Sequence, residues 1–278
     1  MIDLLTITNL PEQAARCDAM QGMRLFVDLE RDGKAERQKG FDTFISTHQV
    51  ADIGLVKAVL KQSKLMVRVN PIQMQNLSVS RLEVDAVLDQ GADMIMLPMF
   101  QSPAELSAFA DIVAGRAPIT ALLETSGALS SIDDWIDTPG LHEVFVGLND
   151  LHLSLGCRFM FEPLLMGHVD RAAAAAKSGG LRFGFGGIAR MDEGALPGKA
   201  VLAEHARLGS GAVILSRAFH RADADPGNSS FEKGVAELRL AEQQLSRRSV
   251  QQIEEDRLKT ATLIQTMVNN AAKVEARV

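Results

Sequence analysis

The pattern that most constrains this chain is an eightfold alternation of short, apolar, β-branched segments with longer amphipathic ones. Segments that alternate in this way form βαβ units and a parallel sheet. Eight units within about 220 residues predict a closed (β/α)8 TIM-type barrel, and no GxGxxG follows the first strand to favour an open doubly wound sheet. The predicted strands cover residues 4–8, 24–29, 65–70, 94–99, 119–125, 143–148, 182–187 and 212–217.

The character of the chain changes after the eighth strand. A polar loop is followed by two capping-box sequences, which begin at Ser229 and Ser249 and predict helices over 230–247 and 250–275. We therefore expect a barrel over 1–222 and a C-terminal helical arm over 229–278. The second helix carries an apolar stripe that must be buried, either on the chain's own barrel or on a neighbouring subunit of a homo-oligomer. The stripe comprises Ile253, Leu258, Ala261, Leu263, Ile264, Met267, Val268, Ala271 and Val274.

Composition excludes several classes of protein. The net charge of −6 and the scarcity of aromatic residues argue against a nucleic-acid partner. The two cysteines have no CxxC spacing, which excludes a cysteine framework for zinc or redox chemistry. No apolar run approaches the ~18 residues of a membrane span, and Asp3 lies where a signal peptide would be basic. We expect a soluble cytoplasmic protein.

Charged residues cluster where the predicted strands end, which is where barrel enzymes place their active sites. Asp28 and Glu30 lie at the end of strand two, Arg68 lies at the end of strand three, and Glu124 lies at the end of strand five. Asp150 lies just after strand six. A carboxylate in such apolar surroundings is costly unless it is paired or metal-bound. Glu124 and Asp150 are the best placed pair for Mg²⁺, and Arg68 is suited to clamp a carboxylate. The structural alternative is that these acids cap helices or pair with arginines.

These residues also form an ordered series of motifs over about residues 20–160. The series resembles the HpcH/HpaI aldolase and citrate lyase beta-subunit family, although no single tripeptide is specific. Its members are Asp28-Leu29-Glu30, Val67-Arg68-Val69-Asn70-Pro71, Gly91-Ala92-Asp93, Leu97-Pro98, Leu123-Glu124-Thr125, Gly147-Leu148-Asn149-Asp150-Leu151 and Ser154-Leu155-Gly156.

The resemblance implies a phosphoenolpyruvate/pyruvate-type barrel in which Glu124 and Asp150 hold Mg²⁺ or Mn²⁺. It implies a substrate site that includes Arg68, Glu124, Asp28 and Glu30. The implied reaction is reversible carbon–carbon cleavage through an enolate, on a 2-oxo acid aldol or an acyl-CoA thioester. A metal and a guanidinium suit an enolate oxygen, and no predicted strand end carries a Schiff-base lysine.

The sequence departs from the family at two positions. Arg31 follows the Asp-x-Glu motif where the aldolases have His and the citrate lyases have Asp, so the general base stays open. The candidates are a metal-bound hydroxide, His48 and His152. Leu122 lies two residues before the metal-binding Glu, where the aldolases often have Gln.

Two other functions remain open. Gly184, Gly186 and Gly187, with Arg190 and Arg217 nearby, are compatible with a sugar-phosphate enzyme, although the glycines can equally serve packing. A non-catalytic family member that assembles through residues 230–278 is the other alternative. For a CoA substrate, the basic residues Arg31, Lys34, Arg37 and Lys39 are a candidate groove. His142 and Glu143, at the other end of the barrel, are expected at the surface.

Overall fold

A computed structural model describes residues 1–33, 46–220 and 230–275. Its eight parallel strands pair in chain order, and the eighth pairs with the first, so the barrel is closed as the sequence predicts. The strands are β1 Asp3–Ile7, β2 Met23–Asp28, β3 Lys64–Arg68, β4 Met94–Leu97, β5 Ile119–Leu123, β6 Leu141–Val146, β7 Arg182–Ile188 and β8 Ala212–Leu215.

Helices cover the outside of the barrel, and several begin where the sequence supplies a start signal. Ser102, for example, accepts a hydrogen bond from the Glu105 N–H ahead of a helix that begins at Pro103. No helix in these residues is both long and apolar enough to cross a bilayer. The described helices are α1 Pro11–Asp18, α2 Val50–Lys57, α3 Leu77–Asp89, α4 Pro103–Val113, α5 Ser126–Ser130, α6 Ile132–Trp135, α7 Leu148–Ser154, α8 Glu162–Leu165, α9 His168–Ser178, α10 Gly198–Leu208, α11 Arg217–His220, α12 Ser230–Leu245 and α13 Val250–Glu275.

An apolar layer fills the middle of the barrel interior. Alternate strand residues point outward against the helices, and those between them point inward. The inward residues of this layer are all buried: Leu5, Phe26, Met66, Met96, Leu122 and Phe145. This apolar layer lies between the charged groups at one end of the barrel and those at the other.

A buried ion-pair network lies below this layer, at the amino-terminal ends of the strands. The Arg24 guanidinium lies 2.5 Å from a Glu143 carboxylate oxygen and 2.6 Å from an Asp3 oxygen. Glu143 is completely buried, so the prediction that it lies at the surface is wrong. The strand begins two residues earlier than predicted, and this places Glu143 inside the barrel. The neighbouring His142 is exposed, as expected.

The C-terminal helices pack on the chain's own barrel. Phe231, Val235 and Leu238 of α12 are buried, and the Arg239 guanidinium donates to the carbonyl oxygens of Ile2 and Gly22 at 2.6 and 3.0 Å. Helix α13 packs against α8 and α10. This arrangement agrees with the first of the two alternatives considered for the helical arm.

Only part of the apolar stripe on α13 is covered in this way. Ile264 is buried, whereas Leu258, Leu263 and Met267 are exposed. The side chains of Ala271 and Val274 lie outside the described residues. A homo-oligomer formed through these helices, and the division into 1–222 and 229–278, stay predictions.

His205 of α10 is a completely buried histidine that joins the helix to the barrel. Its ring stacks on Phe185 of β7, with 3.8 Å between the ring centroids, and its Nδ1 lies 2.8 Å from the Ser210 hydroxyl. Burial lowers the pKa of His205 to about 3. The ring is therefore neutral in the folded protein throughout the physiological range.

We predict that His205 makes the fold sensitive to mild acid. Below about pH 6.5 the unfolded chain protonates this histidine whereas the folded chain does not, so stability falls as the pH falls toward 3. Between pH 7.5 and 5.5 the free energy of unfolding should fall by about 1 kcal/mol more in the native protein than in His205→Phe. Urea denaturation at both pH values measures this difference. His142→Gln, which changes an exposed histidine, is the matched variant, and an equal fall in native protein and His205→Phe would contradict the prediction.

Candidate active site

The arginine at the end of β3 is held by two carboxylates at the upper end of the barrel. Asp28 and Arg68 are paired residues of β2 and β3, and Arg68 Nε and Nη2 donate to the two Asp28 carboxylate oxygens at 2.9 and 2.8 Å. Arg68 Nη1 lies 3.3 Å from a Glu30 carboxylate oxygen, and the guanidinium lies over the Phe26 ring. Burial alone would lower the pKa of Arg68, but Asp28 and Glu30 outweigh burial and raise it.

This geometry changes the role expected of Arg68. The sequence suggested that its guanidinium clamps a carboxylate, and in the structure that bidentate edge already faces Asp28. A planar guanidinium fixed by two carboxylates loses little further freedom when it donates another hydrogen bond. The Nε and Nη2 edge of Arg68 is therefore already occupied by Asp28, which fixes the orientation of the guanidinium.

Glu124 extends into the same space from the residue after β5. Its side chain is buried, and the Met99 N–H donates to Oε1 at 3.0 Å. Met99 has a left-handed backbone with φ of 56°, a conformation that costs a residue with a side chain about 1 kcal/mol or more. The loop after β4 is thus held in an unfavourable conformation that directs a backbone donor at this carboxylate.

The backbone of Gly147 lies directly against the other side of Glu124. A Cβ atom at residue 147 would lie 2.7 Å from Glu124 Oε2 and 3.0 Å from Glu124 Cβ. Contacts this short do not occur between real side chains, so only glycine allows the observed position of the carboxylate. In the described part of the chain, no donor group bonds to Oε2.

Asp150 approaches Glu124 from a helix and not from a strand end. Strand β6 ends at Val146, and Asp150 lies in the first turn of α7, where it is buried. Burial and the nearby carboxylates of Glu30 and Asp150 raise the pKa of Glu124 well above its usual value, and Arg68 and the Met99 N–H offset only part of this. Glu124 therefore lies among other carboxylates, and Arg68 is one cation that partly offsets their charge.

Such a group of carboxylates fits a divalent cation. All the candidate donors are carboxylate oxygen atoms, which Mg²⁺ prefers, and a +2 ion would stabilise the charged form of the buried Glu124. Among the described residues, no three His, Cys, Asp or Glu side chains are grouped tightly enough to hold an ion by themselves. Glu124 and Asp150 suit an ion that keeps waters and substrate oxygens as its remaining ligands.

Two histidines proposed as bases from the sequence differ in their surroundings. The Asp28 N–H donates to His48 Nδ1 at 3.1 Å, so the Nδ1 lone pair already has a partner. His152 Nδ1 lies 3.2 Å from the Leu148 carbonyl oxygen, to which it can only donate. Arg31 Nη2 donates to the His48 carbonyl oxygen at 2.6 Å. Sequence reasoning missed these contacts and the role of Met99, which no motif marks, and it placed Gly147 in a motif without foreseeing its contact with Glu124.

The glycine-rich strand β7 is explained by packing. A Cβ atom at Gly184 would lie 2.7 Å from both the Ala212 carbonyl oxygen and the Phe145 ring. Arg190, considered as a phosphate ligand, instead donates to the Phe219 carbonyl oxygen and the Ser230 hydroxyl. These contacts favour packing over a phosphate site. Lys34, Arg37 and Lys39 of the candidate CoA groove lie outside the described residues.

Comparison with known proteins identifies the family of this chain. Residues 8–184 match the family model described as HpcH/HpaI aldolase/citrate lyase. A (3S)-malyl-CoA thioesterase from Cereibacter sphaeroides (strain KD131 / KCTC 12085) is 27% identical over 169 residues, which are 60% of this chain and 57% of that protein. The chain therefore spans little more than half of this curated relative.

Solved structures share the fold at low sequence identity. An HpcH/HpaI aldolase/citrate lyase family protein from Burkholderia cenocepacia J2315 is 16% identical and gives a TM-score of 0.62, over 86% of this chain and 94% of that one. The citrate lyase beta subunit from M. tuberculosis, complexed with oxaloacetate and magnesium, is also 16% identical, with a TM-score of 0.57 over 89% and 97% of the two chains.

We predict that Gly147→Ala is destabilising because the new methyl group would displace the Glu124 carboxylate. The expected loss is about 1–3 kcal/mol in the free energy of unfolding, measured by urea denaturation. Gly187→Ala is the matched control, since a Cβ atom there would meet only the Ile214 carbonyl oxygen at an ordinary 3.5 Å. Equal stability of the two variants would contradict this account of Gly147.

Proposed function

Because this chain belongs to the HpcH/HpaI aldolase/citrate lyase family, we propose that it is a divalent-metal-dependent lyase. It forms and breaks a carbon–carbon bond next to a carbonyl group through an enolate, on a 2-oxo acid aldol or an acyl-CoA thioester. One observation carries the proposal: Glu124 is buried beside Glu30 and Asp150, and burial and these carboxylates raise its pKa more than Arg68 and the Met99 N–H lower it. The magnesium held by the related citrate lyase beta subunit supports the same view.

Glu124 and Asp150 would hold the metal. Glu124 Oε1 is fixed by the Met99 N–H, and no described donor bonds to Oε2, so Oε2 is the oxygen we assign to the ion. Bound Mg²⁺ or Mn²⁺ supplies Lewis-acid stabilisation of the negative charge that develops on an enolate oxygen.

Arg68 supplies a second positive group at this end of the barrel. Asp28 and Glu30 fix its guanidinium before substrate arrives, and a donor that needs no reorganisation stabilises developing charge most effectively. Its remaining N–H groups are those we assign to the substrate oxygen. Arg31 is a permanent cation and takes no part in proton transfer, which excludes the role that His or Asp has at this position in relatives.

Thioester hydrolysis is the second candidate, because the thioesterase relative is 27% identical to this chain. The same carboxylates and guanidinium would then polarise a thioester carbonyl. The sugar-phosphate alternative loses support, since Arg190 bonds to Phe219 and Ser230. A non-catalytic role loses support as well, since the buried charges at this site are costly to retain without a ligand.

We expect Mn²⁺ to bind the native protein at one site and to bind Glu124→Gln or Asp150→Asn at least about 10-fold more weakly. Each substitution removes one of the two negative ligands and keeps the size of the side chain. Isothermal titration calorimetry or the electron paramagnetic resonance of free Mn²⁺ measures this without any assay of activity. Glu237→Gln, which changes an exposed carboxylate on α12, is the matched control. Unchanged affinity in Glu124→Gln would overturn the assignment of the metal site.

The reaction itself is tested by exchange of the pyruvate methyl protons in deuterated water, followed by NMR. We expect exchange that needs Mg²⁺ or Mn²⁺ and falls at least about 100-fold in Glu124→Gln, as the loss of a main electrostatic contribution predicts. Such exchange would establish enolate chemistry on a 2-oxo acid. Absence of exchange, together with hydrolysis of malyl-CoA, would assign the thioesterase reaction instead.

A further inference from the structure

Asp28 is fixed by its backbone as well as by its side chain. Its N–H donates to His48 Nδ1 at 3.1 Å, and its Oδ1 accepts the Glu30 N–H at 3.1 Å in addition to Arg68 Nε. His48 is only 6% exposed. The His48 imidazole thus holds the backbone N–H of Asp28, while the Asp28 carboxylate holds the Arg68 guanidinium.

The contact with Asp28 fixes the tautomer of His48. A backbone N–H only donates, so Nδ1 must present a lone pair and the ring hydrogen must be on Nε2. An imidazolium would place a hydrogen on Nδ1 against the Asp28 N–H and break this contact. In this arrangement His48 is neutral, and Nδ1 is not available as a general base.

Arg31 holds the segment that carries His48. Its Nη2 donates to the His48 carbonyl oxygen at 2.6 Å, and the His48 N–H donates to the Ser46 hydroxyl. Helix α2 begins two residues later with a capping box between Gln49 and Asp52. The residue that departs from the family pattern therefore has a structural partner next to the site.

We propose that His48 is a positioning residue for Arg68, acting through Asp28, and that Arg31 holds His48 in place. The inference rests on the proposed function, because it gives Arg68 a substrate oxygen to contact. Displacement of the Asp28 peptide would move the carboxylate that fixes Arg68 Nε and Nη2, and errors of about 1 Å in such donors cost large factors in rate. His48 itself does not touch the reacting atoms in this scheme.

The test compares His48→Asn with His48→Phe. The Asn side chain can place an acceptor oxygen near the position of Nδ1, whereas Phe keeps the ring and has no acceptor. We expect His48→Phe to accelerate hydrogen exchange at Arg68 Nε, observed by ¹⁵N NMR, at least about 10-fold, because the bond to Asp28 is loosened. In His48→Asn exchange should remain within about 3-fold of the native protein. The catalysed pyruvate exchange should follow the same order, with a larger change in kcat than in KM.

Each outcome decides the proposal. The ¹⁵N shifts of native His48 must show a hydrogen on Nε2 and none on Nδ1, and the opposite tautomer would overturn it. Equal Arg68 exchange in native protein and His48→Phe, or equal damage in both variants, would also overturn it. The NMR measurements need no substrate, so a native protein without lyase activity would refute the proposed function and leave this test intact.

Arg31→Met provides a second variant, since Arg31 is exposed and its loss does not open the core. It removes the bond to the His48 carbonyl oxygen, and we expect Arg68 Nε exchange to rise about 3-fold or more while the free energy of unfolding stays nearly unchanged. Arg31→Lys can still donate to that oxygen and should restore most of the protection. No change in Arg31→Met would remove Arg31 from the proposal.

Discussion

The paired guanidinium of Arg68 determines the arrangement of the upper end of the barrel. Arg68 and Asp28 lie side by side on adjacent strands, so the strand register itself places the charge pair. Glu30 adds a second carboxylate to this pair, and Glu30 and Arg68 both shift the pKa of Glu124. Arg68 stabilises the charged forms of the buried carboxylates that it contacts.

The two ends of the barrel use the same kinds of side chain for different purposes. At the lower end, Arg24 and Arg182 face Asp3 and Glu143, so that positive and negative groups are matched. At the upper end, burial, Glu30 and Asp150 raise the pKa of Glu124, and Arg68 offsets only part of this. The apolar layer around Phe26 and Phe145 keeps the two groups apart. The lower network serves folding, whereas a strongly shifted pKa such as that of Glu124 is typical of a functional site, and parallel barrels carry out chemistry at this upper end.

Much of this organisation could be predicted from the sequence, because it depends on local patterns. Strand number, barrel closure and the charged strand ends follow from hydrophobic periodicity and from polar residues that interrupt it. The burial of Glu143 could not be predicted, since it depends on where β6 begins and on a shift of register beside Ile119. The contacts of Met99 and His48 depend on a left-handed backbone and on a partner 20 residues away. Neither the left-handed backbone nor the distant partner can be recognised in a single sequence.

The backbone conformation of Met99 and the burial of Glu124 affect the stability of the fold. The left-handed Met99 and the burial of Glu124 both oppose folding, and a bound cation would offset the second of these. A ligand that binds only the folded chain adds to its stability in proportion to the logarithm of its concentration over its dissociation constant. Under the proposed function, metal binding and folding would therefore be linked through Glu124. Arg31 and His48 would lie outside that linkage, because they fix Asp28 and Arg68 through hydrogen bonds whose formation depends on no added charge. The positive donor at this site is thus built into the fold, and a bound cation would add a second positive group.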